Sequence, residues 1–404
     1  MSETTNNSWS DEQIKDVVEK AKADGVTSIS TTDHISAVKT HRNLMVIGCG
    51  DGGCNIASEI RSKVPDVFCI AYNTSKRAMD MLSADIRIIP TKEDGSGKIR
   101  EYSQDVFKNG AYKHLLQNVT DRLDKEPVDY IIVTTTCDGG TGGGVSPMVA
   151  KFISDNVDCP VIIMGVYPAL SEDATAQYNA MNWQKDVEKT GLPYIILDNN
   201  STDTQSKVVI HHTVNEYAVK VVEIISGVHF GETNISAIDN RDMYMLLQHV
   251  GGRISVYGKP GRPTVSQSID DYLISMIDTW AILKPEGVKG IGIFIKSSKD
   301  VIAKTDTSLS KFRSIYGDAA IQYVHLEECD SSDPGYIALV CTGCDEDLGR
   351  IMMMRDRYND IQANAKKKSS MIGDMIDGMD SPLGSVRKEK RTQRQQPDLS
   401  ALEF

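Results

Sequence analysis

Three stretches of the chain hold residue types that could handle a polyphosphate. IGCGDGGCNIASEI at 47–60 and TCDGGTGGGVSP at 136–147 each set several glycines between an apolar β-type run and an apolar helical run. Glycine lets backbone N–H groups approach an anion closely, and a following helix adds partial positive charge at its N-terminus. Pro147 fits the first turn of such a helix. The third stretch, IDNRDMYM, carries Asp239 and Asp242 at i, i+3 spacing at the start of a helical run. One helix face can then carry both carboxylates. Such a group can orient or deprotonate a water. It can equally serve as an N-cap, the commoner use of aspartate at a helix start.

The first loop alone is a weak signal. GCGDGG matches G-x-G-x-x-G, the dinucleotide fingerprint, but the next strand ends at Tyr72-Asn73-Thr74 without a clear acidic ribose ligand. A second, denser loop makes a single pyrophosphate site insufficient. Two loops on neighbouring strands suit a triphosphate. No G-x-x-x-x-G-K-[ST] occurs, so the site does without a P-loop lysine. His211, His212 and Glu216 offer a metal-like cluster, but adjacent histidines point to different helix faces. No direct metal ligand set is expected.

These loops need strands that end beside one another. NLMVIGC, VFCIAY, IRII, DYIIVTTT, VIIMGV and PYIIL are short, apolar on both faces and separated by helical runs. That pattern predicts a parallel, doubly wound sheet with helices on both faces. SKVVIHHTVNEYAVKVVEIISGV reads as a long core helix, and RISVYG, GIGIFIK, IQYVHL and YIALVCT as strands of a smaller α/β unit. The expected divisions are a helical extension at 1–40, a nucleotide-binding domain at 41–204, a connecting helix at 205–228 and a second domain at 229–343. A C-terminal helix at 344–368 and a flexible tail at 369–404 follow. Ser10 and Gln13 suit the start of the extension's helix.

IGCGDGGCN followed by DGGTGGGVSP resembles the tubulin/FtsZ superfamily of filament-forming GTPases. Asp138 stands where the family's glycine signature begins with glycine, and Gly143 where it has a second threonine. The resemblance implies GTP or GDP as ligand, with Mg²⁺ carried on the phosphates. It assigns Gly50, Asp51, Gly52, Gly53 and Asn55 to the first loop's contacts. In the second loop it assigns Gly139, Gly140, Thr141, Gly142, Gly143 and Gly144. AYNTSKRAM supplies Asn73, and DGSGK supplies Gly95, Ser96 and Gly97 near the γ-phosphate. VYPALSED puts Glu172 at the ribose. LDNNS and VNEYAVK suggest Asn199, Asn215 and Glu216 at the base, where an acceptor side chain suits guanine's N1–H and amino group. Asp239, Asp242 and, further upstream than the family pattern, Asn234 are implied to act on the nucleotide of a neighbouring subunit. Hydrolysis would then depend on a head-to-tail filament of identical subunits.

Bulk properties narrow the rest. Net charge is −12, which argues against nucleic-acid binding by the body. Eight cysteines without zinc-ribbon spacing suggest a reducing cytoplasm, and CxxC at Cys341 and Cys344 ends an apolar strand as packing. No apolar run approaches the ~20 residues of a membrane helix, and the opening MSETTNNSWSDEQ is too polar for a signal peptide. The tail joins basic SVRKEKRTQRQQ to an apolar end with Leu399, Leu402 and Phe404. Within the resemblance, such a tail engages an adaptor or a DNA-bound partner. A phage or plasmid filament that positions or segregates DNA or particles is the leading expectation, with a role in division beside it. A nucleotide-binding regulator that does not polymerise remains open, as does a dinucleotide enzyme.

Overall fold

The computed structural model describes residues 41–92, 94–201, 206–233, 235–263, 268–280 and 283–377. The helix expected within 1–40, the tail beyond 377 and Asn234 lie outside them.

The strand-forming runs of the sequence all become strands. The first six are β1 (Leu44–Cys49), β2 (Phe68–Tyr72), β3 (Ile86–Ile88), β4 (Tyr130–Thr136), β5 (Val161–Tyr167) and β6 (Tyr194–Asp198). β7 (Arg253–Pro260), β8 (Gly290–Ser297), β9 (Ile321–Glu328) and β10 (Tyr336–Cys344) follow. They join in one sheet, ordered β3-β2-β1-β4-β5-β6-β7-β10-β8-β9. β1 to β6 pair in parallel, whereas β10 runs antiparallel to both β7 and β8. The strands of the two α/β stretches meet where Tyr194 and Ile195 of β6 pair with Arg253 and Ile254 of β7.

Both faces of the parallel half are covered. α1 (Gly50–Lys63) follows β1, α2 (Arg100–Val106) precedes β4, α3 (Thr141–Asn156) follows β4 and α4 (Ala174–Thr190) follows β5. α5 (Lys207–Ser226) is the long core helix, α6 (Asn240–Tyr244) is a short helix after it, and α7 (Leu348–Asp377) closes the described chain. Side chains alternate across β1. Leu44 and Val46 join α1 and α5 in one core, while Met45 and Ile47 join α3 and α4 in the other. Fully burying such a side chain contributes about 1.5–3 kcal/mol relative to exposure. The two-sided strands are therefore the rigid frame, and the loops at their ends are free to carry chemistry. α7 runs past the boundary expected at 368. KKKSSMIGDMID has no proline, and its one glycine costs a helix only about 1 kcal/mol.

Candidate functional site: a cleft at the carboxyl ends of the parallel strands

The two glycine loops lie side by side because β1 and β4 are neighbours, with Cys49 paired to Thr135. α1 starts at Gly50 directly after β1, and α3 starts at Thr141 after a four-residue loop from β4. Gly50 has φ +72°, the left-handed region that glycine enters without strain. A Cβ on Gly142 would sit 2.6 Å from Cys49 O, so the two loops can touch only as bare backbone. Around them lies a chamber of about 330 Å³. Gly50, Asp51, Gly52, Asn73, Gly95, Ser96, Gly97, Gly139, Gly140, Thr141 and Gly142 line it, as do Thr74, Lys98 and Asp138.

Short hydrogen bonds tie these loops together. The Thr141 and Thr74 hydroxyls lie 2.6 Å apart, and Thr141 Oγ1 donates to Ser96 Oγ at 3.2 Å. Asn73 Nδ2 donates to Asp51 Oδ1 at 2.5 Å. Asn179 of α4 donates to the carbonyls of both Lys98 and Asp138, at 3.2 and 2.9 Å. Lys98 Nζ reaches Asp173 Oδ2 at 2.7 Å, and Asp173 in turn N-caps α4 by accepting from Ala176 N. Partial burial is the largest single influence on Lys98 and disfavours its charge, but the bond to Asp173 and the attraction of Asp173, Asp138 and Glu172 together hold the ammonium above the usual lysine range.

A second chamber of about 340 Å³ opens from the first, sharing Asp51, Gly52, Thr136 and Asp138. Asn55, Val166, Pro168, Glu172, Asn199, His211, Val214 and Asn215 complete its wall. Its floor is pinned from below. Arg350 of α7 is buried, and its guanidinium holds Asp198 at the end of β6 through two bonds of 2.8 and 3.0 Å. The same group donates to Pro168 O at 2.5 Å. One arginine thus fixes the strand ends that carry Pro168 and Asn199. Such bidentate, charge-assisted bonding sets both distance and angle.

Asp239 and Asp242 lie elsewhere. Asp239 is the N-cap of α6, its Oδ1 accepting from Asp242 N at 2.8 Å, while Asp242 Oδ2 accepts from Asp239 N at 3.2 Å. This is a full capping box. It engages one oxygen of each carboxylate and leaves Asp239 Oδ2 and Asp242 Oδ1 outside it. Next to the box, Asn240 Nδ2 donates to Asp129 Oδ1 at 3.3 Å, and Arg42 Nη2 to Ile238 O at 3.4 Å. Asp129 lies directly before the amino end of β4, and Arg42 two residues before that of β1. The aspartates therefore stand at the edge of the sheet opposite the glycine loops, separated by strands about 20 Å long at ~3.3 Å per residue.

Residues 43–205 match the Tubulin/FtsZ family, GTPase domain. Members of this family are GTPases. Over 234 residues the chain is 26% identical to the tubulin-like protein CetZ5 of Haloferax volcanii, covering 53% of this chain and 58% of that one. It is 28% identical over 169 residues to the tubulin-like protein TubZ of Clostridium botulinum C phage, covering 39% and 46%. The chain thus spans about half the length of these curated relatives. Its fold is that of the GDP-form protofilaments of Bacillus thuringiensis TubZ, with a TM-score of 0.65 at 15% identity, over 81% of this chain and 94% of that one.

Against the tubulin/FtsZ expectation, most assigned residues line the cleft and some do not. Gly53, Gly143 and Gly144 lie behind it. A Cβ there would run into Thr134 O, Cys137 O and, at 2.7 Å, Arg100 O, so these glycines let α1 approach β4, α3 approach the loop after β4, and α2 approach α3. Glu216 lines neither chamber; its carboxylate lies 3.8 Å from His212 Nδ1. His211, one turn earlier on α5, does line the second chamber. Thr74, Lys98, Thr136 and Pro168 join the site without having been assigned to it by sequence. Lys98 ends DGSGK, and its charge was the available signal. Among the described residues no group of three or more His, Cys, Asp or Glu could hold a metal. Asp51 and Asp138 nevertheless face the place where phosphates would lie, and carboxylates suit that place with a cation between.

Proposed function

We propose that this chain binds GTP in the paired chambers and hydrolyses it in head-to-tail assemblies of identical subunits. The observation that carries the reading is the placement of Asp239 and Asp242 at the sheet edge opposite the glycine loops. Within one subunit they cannot reach a nucleotide. Stacked subunits would bring the aspartate edge of one over the cleft of the next. α5 runs between the two edges, with His211 and Asn215 at the cleft and Ser226, whose carbonyl accepts from Arg42 N, at the other end. Its 20 residues span about 30 Å.

In this reading the backbone N–H groups of Gly139 to Gly142 and the α3 N-terminus offset phosphate charge. Asn199, Asn215 and Glu172 hold base and ribose. Asp239 and Asp242 of the neighbour orient the attacking water. Mg²⁺ on the phosphates, beside Asp51 and Asp138, would supply further charge neutralisation. The protofilament named for the Bacillus thuringiensis TubZ structure supports self-association. We assign the finer role to a cytoplasmic filament that positions or segregates phage or plasmid DNA or particles, with the basic tail engaging an adaptor or a DNA-bound protein.

Sedimentation with GTP, GDP and ATP across a concentration series, with phosphate release followed in the same tubes, tests this. Pelleting above a critical concentration with GTP, and release that rises at that same concentration, is the expected outcome. Release linear in protein without pelleting would instead favour a regulator that does not polymerise.

A further inference from the structure

Charge around the phosphate chamber is unbalanced. Asp51 and Asp138 line both chambers and Glu172 lines the second, while Lys98 is the one lysine or arginine among the described residues lining either. Its backbone has φ +62°, a left-handed conformation that side chain-bearing residues rarely adopt. The surroundings fix that backbone. Lys98 O accepts from Asn179, and the next residue's N–H, Ile99 N, donates to Ser96 O at 3.0 Å. The side chain is far less fixed. It is 45% exposed, and its partner Asp173 is 59% exposed. A lysine–carboxylate pair this open to water is weak. A phosphate oxygen offers a stronger, charge-assisted acceptor.

We propose that Lys98 reads the terminal phosphate, its ammonium moving from Asp173 to the γ-phosphate of a bound nucleoside triphosphate and staying on Asp173 with a diphosphate. This rests on the nucleotide reading above and extends it to discrimination between the two ligands. The pair also links two loops. Lys98 follows Gly95–Gly97, and Asp173 follows Glu172 on the loop from Pro168. With a diphosphate the ion pair bridges the phosphate loop and the ribose loop. With a triphosphate Asp173 is released from Lys98 and keeps its cap on α4. Lys98 would thus do by a loop side chain what a P-loop lysine does elsewhere.

Calorimetric titration with Mg-GTPγS and with Mg-GDP, at protein concentrations below any pelleting, tests the proposal on the wild-type chain, Lys98→Ala, Lys98→Arg and Asp173→Asn. Lys98→Ala is expected to weaken GTPγS by at least about tenfold, the scale of one lost charged hydrogen bond, and GDP by less than about threefold. Lys98→Arg keeps most of the discrimination. Asp173→Asn keeps the helix cap, removes the competing charge and raises GTPγS affinity. That gain is one that a merely structural role for the pair would not give. Equal loss of both ligands in Lys98→Ala, unchanged discrimination, or weaker GTPγS binding by Asp173→Asn would overturn the proposal while leaving nucleotide binding intact. A wild-type chain that binds neither ligand would overturn the nucleotide reading itself.

Discussion

Asp239 and Asp242 form a helix cap, and the proposed action on a neighbour's nucleotide would be a second job for the same motif. Each carboxylate gives one oxygen to the capping box. Asparagine caps a helix about as well as aspartate but cannot act as a base. Asp239→Asn is therefore expected to shift stability by no more than about 0.5 kcal/mol. It should bind GTP normally and cut phosphate release by about 10²–10⁴-fold. Thermal melting and phosphate release on the same sample check this. Wild-type turnover by the variant would reduce Asp239 to a cap. Both readings were legible in the sequence, because D-x-x-D at a helix start serves either. What the sequence could not give was that the cap engages only one oxygen of each carboxylate, since that depends on which oxygen faces which way. The charge of Lys98 was legible, but its pairing was not. Its meaning comes from Asp173, which is 75 residues away in the chain.

At the scale of elements, the strands were readable because burial on both faces leaves continuous Val/Ile runs, as in YIIVTTT and VIIMGVY. The pairing of β6 with β7 was not readable, since two residue pairs leave no pattern. Nor was the dependence of the second chamber on α7, because Arg350 in a helical run gives no hint that its partner is Asp198. The glycines of DGGTGGG look alike in sequence and differ in space. Gly139 has nothing within 4 Å of a built Cβ, whereas Gly142 would press on Thr135 and Cys49. Gly139→Ala should fold within about 0.5 kcal/mol of wild type. Gly142→Ala should cost about 1–3 kcal/mol, the usual range for overpacking, and lose most GTP affinity because the two loops can no longer touch. Denaturant unfolding without nucleotide, followed by GDP titration, compares them. Equal behaviour of the two variants would mean that the loops are not in contact in solution.

For the whole molecule, the decisive property is that the two halves of the proposed site face opposite ways. A head-to-tail contact is heterologous, so each subunit offers its cleft to one neighbour and its aspartates to another. Two inactive variants should then repair each other. Asp239→Asn keeps a sound cleft, and Gly142→Ala keeps sound aspartates. In a random equimolar copolymer about a quarter of the contacts place a sound cleft against sound aspartates, by the geometry of a heterologous interface. Phosphate release from the mixture is expected to rise to about a quarter of the wild-type rate per subunit, although each variant alone is nearly silent. Gly142→Ala stays folded in such a mixture because the expected destabilisation is smaller than the 5–15 kcal/mol that typically holds a domain together, and co-pelleting with Asp239→Asn checks that it enters the copolymer. A mixture no faster than the sum of its parts, while both variants co-pellet, would show that each subunit hydrolyses its own nucleotide. The aspartates would then act as helix caps, and the water-activating group would have to be sought within the cleft, among Asp51, Asp138 and Glu172.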